Sequence, residues 1–190
     1  MLRIPNLEEL KTLLLRVPNL VDGIENKSPV AVEDIREWLR AVETALGNNR
    51  MPQAAEIAGL RVQLAMARRG ILAEGMTARG SLTVRKVREV TAAEVLRQGG
   101  ALLSRAIADD VARVDEADRV ARQLATAAQI KGMISAAPPG TDRVGAVHTI
   151  WSEIRADADI GQGAIHIISL LGPEDAVIAL DRAISRDIWK

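Results

Sequence analysis

The chain has 190 residues with 25 basic and 25 acidic side chains, so no overall charge steers it toward nucleic acid or an acidic membrane. It contains no Phe, Tyr or Cys and only three Trp, which excludes disulfides, thiolate metal ligands, cysteine nucleophiles and an aromatic stacking surface. The 30 alanines and the aliphatic residues that make up most of its 48% apolar content predict helices packed closely against one another.

Helix signals dominate the N-terminal part of the chain. Asn6 is the expected N-cap of a first helix, which Pro18 ends or kinks. Ser28, followed by a proline, is the expected N-cap of the next helix, and the apolar residues of segment 35–46 recur on one face of it. Residues 52–71 are apolar nearly all round, which predicts a buried, central, Ala-rich helix. A continuous helix is favoured there over a helix-turn-helix.

The middle of the chain continues the helical pattern. A further helical stretch begins near Ser81, and Gly99 and Gly100 either break it or lie at a close helix crossing. Residues 101–131 form the longest helical pattern, with an approximate heptad seam that includes Ile107 and Val114. We expect this seam to offer a self-complementary face to a second copy of the chain.

The C-terminal part begins after Pro138 and Pro139, the clearest boundary in the sequence. A helix follows, and residues 164–171 are then either a buried helix or a short strand. Together these patterns predict an all-α fold, a multi-helix bundle of six to eight helices around a central Ala-rich helix. Residues 1–137 are the expected main bundle and residues 141–190 a C-terminal helical subdomain packed on it, with one single domain as the alternative.

One short segment, Arg143-Val-Gly-Ala-Val-His148, resembles the Arg-x4–6-His motif of the HEPN superfamily. Members of that superfamily are compact helical bundles in which Arg and His from two copies meet at a dimer interface and cleave RNA without a metal. The resemblance implies that Arg143 would hold the phosphate and that His148 would move the proton of a ribose hydroxyl. The alternative is structural, with Arg143 exposed at a helix start and His148 packed beside Trp151.

Charge is unevenly distributed along the chain. Residues 50–97 carry nine basic and four acidic side chains, whereas residues 142–190 carry five basic and eight acidic ones. Four basic residues predict contacts with nucleic-acid phosphates: Arg79, Arg85, Lys86 and Arg88. The alternative is a set of ordinary solvated helix faces.

The remaining candidate residues, which are His166 and a set of possible metal ligands, do not indicate a functional site. His166 lies among isoleucines, which predicts a hydrogen-bonded core histidine. His148, Glu153, Asp157 and His166 lack any familiar metal-ligand spacing, so no metal is expected, and no cofactor motif is present.

Function is inferred mainly from these exclusions. We expect a non-enzymatic helical structural or interaction subunit of a larger assembly, either a homo-oligomer or a component of a phage- or defence-type complex. Two alternatives stay open: a HEPN-like ribonuclease that uses Arg143 and His148 at a dimer interface, and a nucleic-acid-binding module that uses residues 79–97. The expected partners are proteins rather than membranes. The expected location is the cytoplasm, or a virion or other soluble assembly.

Overall fold

A computed structural model describes residues 1–72, 83–134 and 143–189. These residues form eight helices and no strand, so the predicted all-α fold of six to eight helices is confirmed. The helices are α1 (Ile4–Leu15), α2 (Val17–Glu25), α3 (Ala31–Asn48), α4 (Gln53–Ala67), α5 (Val84–Ile130), α6 (Arg143–Ala156), α7 (Gly161–Leu171) and α8 (Pro173–Asp187).

The chain divides into two compact units, and the division falls inside α5. The N-terminal unit comprises Leu2 and Ile4–Ala108, and the C-terminal unit comprises Met1, Arg3 and Asp109–Lys190. The first half of the 47-residue helix α5 therefore belongs to one unit and its second half to the other. The boundary predicted between residues 137 and 141 lies outside the described residues and stays a prediction.

Trp38 is the largest fully buried side chain of the N-terminal unit. It lies on the apolar face of α3, which packs against α1, α2 and α4. Its indole Nε1 donates a hydrogen bond of 2.8 Å to the carbonyl oxygen of Leu13, which belongs to the last turn of α1. The same carbonyl also accepts a hydrogen bond of 3.3 Å from the backbone amide of Arg16. Trp38 therefore fills the core and supplies a second hydrogen bond at the end of a neighbouring helix.

Gly99 and Gly100 lie inside the continuous helix α5, at a close approach to other helices of the same unit. A Cβ added at Gly99 would stand 3.0 Å from Cζ3 of Trp38, and one added at Gly100 would stand 3.6 Å from the Val17 side chain. Of the two alternatives that the sequence leaves open, the close crossing is confirmed and the helix break is wrong. The absence of side chains at these positions allows α5 to approach α3.

Several finer predictions for the N-terminal unit are wrong. Segment 52–71 was predicted as one continuous helix, and α4 is continuous but ends at Ala67. It is not buried all round, because Val62 is 58% exposed and Met66 39% exposed. Asn6 lies within α1 rather than at its N-cap, and its side-chain amide bonds to Asn49. Ser28 precedes α3 without capping it, because the N-cap position is Val30.

The apolar residues of the heptad seam predicted in residues 101–131 are mostly buried within the chain itself. Ile107 is buried in the N-terminal unit, and Val114, Ala121 and Ala128 are buried in the C-terminal unit. Val111, which also belongs to the predicted seam, is half-buried. The periodicity therefore identifies most of the buried residues correctly, but the buried part of this face is not available to a second copy, so that expectation is wrong.

Helices α6, α7 and α8 pack against one another in the C-terminal unit. Residues 164–171 are part of α7, so the strand alternative is excluded. The turn between α6 and α7 is fixed by Asp157, which accepts hydrogen bonds from the backbone amides of Asp159 and Ile160 and from Lys131. Among the described residues no single helix is long and apolar enough to cross a membrane, although α7 and residues 173–185 of α8 meet that requirement as a bent pair.

An acid-sensitive ion pair stabilises the first half of α5. The Glu94 carboxylate accepts hydrogen bonds from the side chains of Arg97 and Gln98. These bonds, chiefly those from Arg97, lower the pKa of Glu94 from its usual value of 4.5 to about 2. Because the pKa is lowered on folding, the stabilisation is complete above pH 4.5 and is lost as the pH falls toward 2.

We expect Glu94→Gln to make the free energy of unfolding less dependent on pH in this window. Urea unfolding at a series of pH values measures this, with Glu56→Gln as the control, and an unchanged pH dependence in Glu94→Gln would contradict it.

Candidate functional site

A groove between α6 and α8 is an apolar concavity of the C-terminal unit. Its volume is about 320 Å³. Its lining residues are Arg143, Val144, Val147 and His148 from α6 and Glu174, Val177, Ile178 and Asp181 from α8. Four of the lining side chains are aliphatic, three are charged and one is the histidine. Protein–protein interfaces likewise combine apolar and polar side chains.

Val144 makes this groove unusual. It is 72% exposed, whereas Val147, one turn further along α6, is buried beneath the groove. An exposed valine is ordinary on its own, but here it extends the apolar lining out to the surface. Val144 is therefore an exposed apolar side chain in the lining of the groove.

Arg143 is held by contacts within the chain. Its Nε and Nη2 each lie 3.0 Å from Oδ1 of Asp181, and its guanidinium lies 6.0 Å from the centre of the Trp189 ring. An arginine close to an aromatic ring gains a cation–π attraction. The guanidinium is nevertheless half exposed, so one of its sides faces solvent.

His148 lines the same groove as Arg143 and is exposed. Trp151, in contrast, is 5% exposed and belongs to the core. The structural alternative is supported for Arg143, which is exposed at the start of α6, whereas the part in which His148 packs beside Trp151 stays a prediction. The two residues of the Arg-x4-His segment do share one surface, and their role in RNA cleavage stays a prediction.

His166 is also on the surface, so its prediction as a core histidine is wrong. Its side chain is 51% exposed, and its Nε2 lies 3.8 Å from a carboxylate oxygen of Glu116. The pKa of Glu116 is lowered chiefly by its hydrogen bonds from Arg119. Within residues 1–72, 83–134 and 143–189, no three His, Asp or Glu side chains come together as a metal site.

The four basic residues predicted to contact phosphates do not form one described patch. Arg79 lies outside the described residues, and Arg85 forms an ion pair of 2.8 Å with Glu89 on the same helix. Lys86 is half-buried on α5. Arg88 lines one pocket together with Arg85 and Lys27, and it also lines a second pocket with the arginines of segments 36–40 and 61–68.

That pocket contains the functional candidates that sequence reasoning missed. Arg36 and Arg40 lie one turn apart on α3, Arg61 lies on α4, and Arg68 is the C-cap residue directly after α4. Spacings of four and seven residues place side chains on one helix face, and this was the available signal. The sequence does not reveal that the two faces meet, since that depends on how α3 pairs with α4.

Comparison with protein-family models, with curated proteins and with solved structures finds no match to this chain. Two surfaces of the chain are therefore the candidates for a functional site. One is the apolar groove of the C-terminal unit, and the other is the arginine-lined pocket of the N-terminal unit.

Proposed function

We propose that this chain is a non-enzymatic structural subunit that assembles with a second copy of itself through the α6–α8 groove. The observation that carries the proposal is Val144, an apolar side chain left 72% exposed beside an apolar groove. Burying such a surface against a neighbour is favourable by roughly 25 cal/mol for each Å² of apolar area removed from water.

The charges around the groove permit two identical faces to approach each other. Arg143 is neutralised by Asp181, and Glu174 is neutralised by Arg3, with N–O distances of 3.0 and 2.6 Å. Like charges facing each other across an interface cost several kcal/mol, and a face with paired charges avoids most of this cost. The border of the groove therefore does not oppose self-association.

The distribution of charge between the two walls favours a particular symmetry. The cation, Arg143, is on the α6 wall, while the anions, Glu174 and Asp181, are on the α8 wall. A two-fold axis parallel to the groove brings α6 of one copy over α8 of the other, so that unlike charges face each other. The same operation places Val144 of each copy over the α8 wall of its partner.

Val144→Asp tests this proposal. A carboxylate at the apolar centre of the interface loses its hydration without gaining a partner, which costs several kcal/mol. We expect the dimer dissociation constant to rise by at least about a hundredfold, which corresponds to about 2.7 kcal/mol. Sedimentation equilibrium measured up to high micromolar concentration gives the dissociation constant.

Val62→Asp is the matched control, because Val62 is also an exposed valine in a helix but lies on α4 in the other unit. We expect this variant to dimerise like the unmodified chain. A monomeric unmodified chain, or equal dimerisation by Val144→Asp, would refute the proposal.

His148→Ala distinguishes a structural subunit from the HEPN-like alternative, which uses the same face. A structural subunit cleaves no RNA with or without the imidazole of His148. A ribonuclease would lose RNA cleavage when the imidazole is removed. Cleavage by the unmodified chain that disappears in His148→Ala is thus the result that favours the alternative.

A further inference from the structure

The arginine pocket, defined by Arg36, Arg40, Arg61, Arg68 and Arg88, lies in the N-terminal unit between α3, α4 and the beginning of α5. Its volume is about 270 Å³. Leu64 is buried at its base, and the two acidic residues that also line it are Glu33 and Glu37. Five guanidinium groups therefore converge with only two carboxylates.

Ion pairs within the chain neutralise only part of this positive charge. Arg36 pairs with Glu33, and Arg61 pairs with Glu43. Over the described part of the chain, Arg40, Arg68 and Arg88 form no ion pair with a carboxylate. Positive charges held near each other at the protein surface repel by up to a few kcal/mol, and a bound anion removes this repulsion.

Arg88 provides a second, independent indication of a missing acceptor. Its Nε is inaccessible to solvent and has no hydrogen-bond partner among the described residues. A buried donor without an acceptor costs about 1–3 kcal/mol, and native proteins leave few such groups unpaired. The Arg88 side chain lines the pocket, so a bound anion can accept this hydrogen bond once the side chain turns its Nε toward it.

We propose that the arginine pocket binds a small phosphate-bearing anion. Guanidinium groups match phosphate oxygens with paired, charge-assisted hydrogen bonds, and several of them around one cavity suit a dianionic or more highly charged group. The site belongs to the N-terminal unit and is independent of the α6–α8 groove.

The shape and lining of the pocket favour a small molecule over a nucleic-acid strand. Its volume is near the lower end of the range for small-molecule sites. No aromatic side chain lines it, and single-stranded nucleic acid is usually held by bases stacked on aromatic rings. Phosphate recognition by Arg88 is therefore assigned to a confined pocket rather than to an extended basic surface.

Titration of the full chain with inorganic pyrophosphate at low ionic strength, followed by isothermal calorimetry, tests this proposal. We expect one site per chain. The affinity should fall at least about tenfold in Arg88→Gln, because a hydrogen bond to a charged group contributes about 1.5 kcal/mol or more. Arg68→Gln should give a similar loss. Because Arg68 is exposed, that variant reports on binding even if Arg88→Gln impairs folding.

Arg105→Gln is the matched control, since it removes one exposed arginine of the same unit that does not line the pocket. This variant should bind pyrophosphate as the unmodified chain does. The proposal is overturned if pyrophosphate does not bind, or if Arg105→Gln weakens binding as much as the pocket variants. It is also overturned if a single-stranded RNA binds and pyrophosphate does not displace it.

Discussion

Replacing Trp38 by alanine is expected to lower the free energy of unfolding by about 3–5 kcal/mol, a range typical of large-to-small substitutions in a packed core. Trp38 is fully buried, so the substitution leaves a cavity that its helical neighbours cannot fill without moving. The variant also loses the 2.8 Å hydrogen bond to Leu13 at the end of α1. Urea unfolding followed by far-ultraviolet circular dichroism measures the loss.

Trp189→Ala is the control for this experiment. Trp189 is only partly buried near the end of the chain, where it contacts the Arg143 guanidinium. Loss of an exposed cation–π contact costs about 0.5–1 kcal/mol. Equal destabilisation by the two substitutions would mean that Trp38 does not hold the core of the N-terminal unit together.

Gly99→Ala is expected to destabilise the chain by about 1–3 kcal/mol, although alanine is intrinsically the better helix former. The new Cβ would stand 3.0 Å from the Trp38 ring and 3.3 Å from Leu39. Both neighbours are fully buried and have little room to move aside, so the steric cost exceeds the gain in helix propensity of about 1 kcal/mol. The measurement is again the free energy of unfolding in urea.

Gly59→Ala provides the opposite result at a matched position. Gly59 lies inside α4, and a Cβ there would have no atom within 4 Å. This variant should be more stable than the unmodified chain by about 0.5–1 kcal/mol. If Gly99→Ala also proved stabilising, the helices would have to separate more easily at the crossing than the geometry indicates.

Helix α3 shows which aspects of the fold can be predicted from sequence. Its apolar residues recur at three- and four-residue steps, and Ile35, Trp38, Leu39 and Leu46 are all buried as that spacing requires. Polar residues separate them, so only one face is apolar. The pattern therefore determines both the helix and its orientation.

Helix α4 shows where the same reasoning fails. Its many alanines make every face look apolar, yet alanine is tolerated at exposed positions because it buries little area. The pattern gave no orientation, and Val62 was wrongly expected in the core. The heptad seam of α5 failed differently, because periodicity shows that Val114 and Ala121 are buried but not whether the partner is the same chain or another.

A candidate site could be predicted only where its residues lie close to one another in the sequence. Arg143 and His148 are neighbours on one helix, so their common surface follows from helix geometry. The arginine pocket combines residues from three helices, up to 52 positions apart from Arg36 to Arg88. That combination depends on how the helices pair in the fold, which the pattern of residues along a single sequence does not reveal.

The division of the chain inside α5 has a consequence for any attempt to study its halves separately. Proteolysis and truncation usually succeed at exposed, irregular segments between domains, where few backbone hydrogen bonds are lost. A cut between Ala108 and Asp109 would instead pass through a continuous helix. It would free as many as four amide and four carbonyl groups that now bond to each other across the cut. The border between the compact units is therefore a poor place at which to design fragments.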